Sequence, residues 1–84
     1  MPLHIQIKVK PNSMPTPEDL ALRQRLEDMI IDEEIGDVLR TDASEGLMEL
    51  FVDIDDEDTS YAYRVLQNLL KQFGVHMSST IKVV

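Results

Sequence analysis

Carboxylates are the side chains in this sequence best able to do chemistry, and they are crowded. Asp53, Asp55 and Glu57 occupy alternate positions, with Asp56 and Asp58 filling out the run. Alternating acids open a calcium-binding EF-hand loop, but that loop needs glycine at its sixth position and a bidentate glutamate at its twelfth. Counted from Asp53, those positions hold Asp58 and Arg64. The motif fails, and no metal site is assigned. A second acidic group, Asp32, Glu33, Glu34 and Asp37, precedes the first. Residues 32–58 hold 12 of the 16 acids and one base, Arg40, for a net of −11, while the remainder holds 4 acids and 7 bases, for a net of +3. Paired carboxylates act as acid and base when their surroundings push their pKa values apart. A water-rich acidic patch gives no such separation.

The other reactive side chains are no better placed. His4 and His76 fall on strands expected to be antiparallel neighbours, at opposite ends and about 15–20 Å apart from strand rise. Each reads as a surface histidine. The serines and threonines lack a histidine and acid to activate them. Gly36, Gly46 and Gly74 are the only glycines, so no glycine-rich phosphate loop exists. The absence of cysteine removes disulfides, thiolate nucleophiles and cysteine zinc sites, and fits a cytoplasmic location. The expectation is a protein that is not an enzyme and carries no cofactor.

The elements that position these residues follow from periodicity. Leu3, Ile5, Ile7 and Val9 alternate with polar residues as a half-buried strand does, and Pro11 ends it. Thr16, Pro17, Glu18 and Asp19 make a helix start: a hydroxyl cap, proline at the first position, and acids in the first turn. Leu22, Leu26, Met29 and Ile30 share one helix face, with Leu20 and Ile31 nearly opposite it. Asp32, Glu33 and Glu34 then meet the negative end of the helix dipole. Val38–Asp42 read as a short strand of ambiguous phase, and 42–46 as a hairpin loop with Gly46 free to take a positive φ. In the next strand Met48, Leu50, Val52 and Ile54 point one way, while Leu47, Glu49, Phe51 and Asp53 point the other. A second helix starts near 56–59, with Ala62, Val65, Leu66, Leu69 and Phe73 on one face, and stops before Gly74. Residues 75–83 alternate as a final strand.

Strand, helix, strand, strand, helix, strand is the order of a ferredoxin-like βαββαβ sandwich: a four-stranded antiparallel sheet ordered 4-1-3-2 with two helices on one face. Residues 1–84 are long enough for one domain only, and a chain this short buries about 60–65% of its unfolded surface, which leaves a small stability margin. The N-terminus has no basic segment followed by an apolar run, and no stretch reaches membrane-spanning length, so the chain reads as soluble, unprocessed and complete. In this topology the end of helix 1 and the start of strand 2 share a pole with the end of strand 3 and the start of helix 2. Asp32, Glu33, Glu34 and Asp37 should therefore gather with Asp53, Asp55, Asp56, Glu57 and Asp58. The N-terminal amine, His4 and Lys82 offset little of that charge. The open face of the sheet should carry Gln6, Lys8, Glu49 and Phe51, together with His4, Asp53, Ser78, Thr80 and Lys82. Lys8 should pair with acids of strand 3, and Phe51 should anchor a contact. Strands 2 and 4 would be the edges.

Familiar users of this topology leave marks that are missing. The third strand, GLMELFVD, lacks the basic and aromatic signature of RNA-recognition motifs. The first loop, PNSMPTP, has no acylphosphatase arginine and no glycine of the ACT-domain type. A net charge of −8 repels phosphate backbones, so nucleic acid is not an expected partner, and neither is a membrane. The expected function is a non-catalytic, protein-binding module that self-associates through its sheet as a homo-oligomer and offers an acidic pole to a basic partner. An antitoxin or immunity-type inhibitor is one concrete form. The alternative is a regulatory domain binding a small molecule or divalent cation at a dimer cleft.

Overall fold

The computed structural model describes residues 1–55, 57 and 59–83. The chain runs β1 (Pro2–Lys8), α1 (Pro17–Asp32), β2 (Gly36–Ser44), β3 (Leu47–Ile54), α2 (Thr59–Gln72) and β4 (Ser79–Val83), with a 3₁₀ turn over His76–Ser78 leading into β4. The sheet is antiparallel and ordered β2-β3-β1-β4. This is the expected ferredoxin-like α+β sandwich.

The core lies between the sheet and the helices. Leu3, Ile5 and Ile7 of β1 and Met48, Leu50, Val52 and Ile54 of β3 are buried against Leu26 and Ile30 of α1 and Ala62, Leu66, Leu69 and Leu70 of α2. Alternation in the strands predicts this face correctly. In α2 the buried stripe is centred on Leu66 and takes in Leu70, leaving Val65 and Phe73 half-buried at its margin. Ile35, beyond the last turn of α1, also enters the core.

Both helices end in the same way. In α1 the Ile35 N–H donates to Ile30 O and the Glu34 N–H to Ile31 O; in α2 the Val75 N–H donates to Leu70 O and the Gly74 N–H to Lys71 O. Each is a Schellman motif, in which the residue after the cap adopts the left-handed conformation and the next residue packs back on the helix. Gly74 fills that position in α2 at φ 73°, but in α1 a glutamate does, Glu34 at φ 53°. The start of α1 is a capping box: the Asp19 N–H donates to Thr16 Oγ1 (3.1 Å) and the Thr16 N–H to Asp19 Oδ2 (2.9 Å).

Two strands differ from the alternation pattern. β2 is longer than expected and its register slips between Val38 and Arg40, so that Val38 opposes Val52 and Arg40 opposes Phe51. Leu39 is the extra residue of a bulge, and this is why the phase of the segment is ambiguous in sequence. The final strand begins at Ser79, not at Val75, so Ser78 leaves the open face. Ser78 N–H, Ser78 Oγ and Ser79 Oγ all donate to the Val75 carbonyl. Serine hydroxyls that take a backbone acceptor in this way hold a turn against the ladder.

Candidate functional site

Topology brings the two acidic segments to one end of the sheet. From Glu34 the chain passes through Ile35 to Gly36, whose register partner is Ile54, and Asp37 then stands opposite Asp53. Close approach is possible because Gly36 has no side chain: a Cβ there would lie 2.3 Å from Asp53 O. Nothing in the sequence pattern around Gly36 signals this role. Asp32, Glu33, Glu34, Asp37, Asp53, Asp55 and Glu57 are all exposed. The N-terminal ammonium donates to Asp53 Oδ1 (3.0 Å) and to Ile54 O (2.7 Å), and the Glu57 N–H donates to Asp55 Oδ1 (3.0 Å). Asp56 and Asp58 lie outside the described residues. Among the described residues no three acidic or histidine side chains are grouped as a metal ion would require.

The open face is organised around Phe51. On the β1 side the His4 ring stacks on it, with centroids 4.3 Å apart and an interplanar angle of 9°. On the β2 side the Arg40 guanidinium lies 4.1 Å from the ring centroid, an arrangement in which the cation meets the negative face of the ring. The stack is held from outside. His4 Nε2 donates to Glu49 Oε2 (2.5 Å), and Arg40 Nε forms an ion pair with Asp42 Oδ2 (3.2 Å). Phe51 is thus half-buried among its own neighbours. Gln6 is opposite Glu49, but Lys8 is opposite Leu47, so the acid expected to pair with Lys8 is held by His4 instead. The sequence places His4 on this face without giving it a role beside Phe51, and Arg40 is the residue it leaves out. Register alone places His4 beside Phe51, whereas Arg40 arrives there only because of the bulge.

A groove of about 420 Å³ runs between α2 and the outer side of β4, lined by Tyr63, Gln67, Lys71, His76, Thr80 and Ile81 among others. His4 opposes Lys82 and Ser79 opposes Ile7, so His76, just before Ser79, is at the far end of the sheet from His4.

Fold and site together define a ferredoxin-like sandwich with an acidic pole and a pre-stacked aromatic on its open face. No protein-family model matches the chain, and comparison with curated proteins returns no match. No described helix is long and apolar enough to cross a membrane.

Proposed function

We propose that the protein is a non-catalytic, cytoplasmic interaction module whose acidic pole receives a basic partner protein and whose sheet mediates self-association. One observation carries the reading: three locally unfavourable placements meet at one end of the molecule. Asp32, Glu33 and Glu34 stand at the negative end of the α1 dipole, each at a cost of up to several tenths of a kcal/mol. Glu34 adopts a left-handed conformation that costs a non-glycine residue roughly 1–2 kcal/mol. Asp37 stands directly opposite Asp53, where like charges are destabilising. Neutral residues would be more stable in place of Asp32, Glu33, Glu34 and Asp37, whereas Asp53 is offset in part by the N-terminal ammonium. Breaches of local consistency collect where function demands them. Clustered negative charge steers a cationic surface towards it and speeds association.

An antitoxin or immunity-type inhibitor that neutralises a basic toxin fits this description, being small, acidic and free of cysteine. The test is affinity capture from the native cell extract at low and high salt. The wild type is compared with a variant carrying Asp32→Asn, Glu33→Gln, Asp37→Asn and Asp55→Asn. A partner retained at low salt, released by high salt and missed by the variant supports the reading. Identical capture by both proteins sinks it.

A second reading, a ligand-binding regulatory domain, is favoured by the groove beside β4. Its lining supplies donors such as Tyr63, Lys71 and His76, not carboxylates, which suits a small anionic molecule better than a divalent cation. Calcium or magnesium raising the melting temperature by several degrees would instead favour the cation form.

A further inference from the structure

We infer that the outer edge of β4 is where a second copy of this chain pairs, antiparallel and about a two-fold axis, to make one continuous eight-stranded sheet. This rests on the self-association proposed above and moves its seat from the open face to the edge.

The two edges of the sheet are unlike. β2 carries the devices that block strand addition: the Leu39 bulge breaks its register, and Asp37, Arg40 and Asp42 line it with charge. β4 has no bulge and no proline, and Lys82 is its only charged residue. Among the described residues no strand lies beyond it. Its flanks are apolar and open: Met77 is 88% exposed just before the strand, and Val83 is 65% exposed at its end. Tyr63, in the second turn of α2, lines the groove beside it.

Charge selects a second copy as the occupant. Residues 59–84 contain Arg64, Lys71, His76 and Lys82 and not one of the 16 acids. Two molecules of net charge −8 repel each other on most approaches, and this acid-free side is where repulsion is least. The strand also has a polarity. Ser79, following Lys71 and His76, is opposite Ile7, whereas Val83 is opposite Leu3, and Leu3 in turn is opposite Val52, next to Asp53. β4 therefore runs from a basic end to the acidic pole. Antiparallel pairing sets each copy's acidic end beside the basic end of the other, and the two-fold operation closes the assembly at two. An acidic peptide from another protein would gain the same groove contacts but face the full charge of the acidic pole with nothing to offset it.

The mass in solution is measured across a range of concentrations for three proteins. These are the wild type, the edge variant Thr80→Lys with Val83→Lys, and the open-face variant Gln6→Glu with Lys8→Glu. The expected result is a mass near twice 9.6 kDa for the wild type and the open-face variant, with at least tenfold weaker association for the edge variant. The chain has no cysteine of its own, so Thr80→Cys, Ile81→Cys and Lys82→Cys, made singly, report the pairing even if the edge variant fails to fold. At least one should form a covalent dimer in dilute solution under mild oxidation, and Gln6→Cys should not. A monomeric wild type, or cross-linking at Gln6→Cys but not along β4, overturns the inference. The second outcome would leave self-association through the open face standing. Loss of partner capture at the acidic pole is a separate readout and bears on neither.

Discussion

Phe51 shows how a residue singled out for one reason is employed for another. Read as an aromatic on a polar sheet face, it looks available to a partner. In the folded chain His4 and Arg40 cover it from the two adjacent strands. The His4 neighbour was legible, because alternation in β1 and β3 fixes which side chains share a face. Arg40 was not, because an inserted residue has no periodic signature. A ring stack and a cation–π contact at a half-exposed site are each worth about 0.5–1.5 kcal/mol. Phe51→Leu keeps most of the apolar contact and should destabilise by about 1 kcal/mol. In a double-mutant cycle with Arg40→Ala by chemical denaturation, the coupling should be about 0.5–1 kcal/mol. A coupling near zero would mean that the guanidinium does not engage the ring in solution.

At the scale of elements, the paired helix endings provide an internal control. Glycine in α2 and glutamate in α1 occupy the same position of the same motif, both at positive φ. Glu34→Gly removes a left-handed cost of roughly 1–2 kcal/mol and an unfavourable dipole interaction, against about 0.4–1 kcal/mol of added unfolded-chain entropy. The first effect wins. The variant should be about 1 kcal/mol more stable and melt about 4–8 °C higher by calorimetry. Gly74→Ala, the opposite change in α2, should lose about 1 kcal/mol; a Cβ there meets nothing within 4 Å, so conformation alone is at stake. The helix starts and stops were readable from Thr16, Pro17 and Gly74, whose chemistry is local. The start of β4 was not. Val75–Ser79 alternates like a strand, and the deciding interaction is the pull of two serine hydroxyls on one carbonyl, to which a hydrophobic pattern is blind.

For the whole molecule, the acidic pole was legible once the order of elements was known, since topology fixes which chain ends meet. The acid-free stretch 59–84 and the edge position of β4 were readable too, but the groove beside β4 and the exposure of Met77 and Val83 were not, because they depend on how α2 and the turn before β4 pack. Exposed like charges repel across distances comparable to the Debye length, about 10 Å at 0.1 M salt. The wild type should therefore gain stability as salt rises from low to moderate levels. A variant with Asp32→Asn, Glu33→Gln and Asp37→Asn should start from a higher melting temperature and respond less steeply. Parallel responses would show that the pole carries no net repulsion.

If copies pair through β4 as proposed, the Leu39 bulge, together with the charges of Asp37, Arg40 and Asp42, would set the molecule's valence. A sheet with two receptive margins can add neighbours on both sides without limit, whereas a sheet with one can join only once. The register on either side of the bulge is already antiparallel and in phase, Val38 with Val52 and Arg40 with Phe51. Deleting Leu39 should therefore leave every other side chain on its present face while straightening the margin. Light scattering at rising concentration would then show open-ended growth in place of a species of fixed size. Growth in that variant would show that an inserted leucine, 58% exposed and with no partner across the ladder, does more than the charges of β2 to separate a finite particle from a fibre.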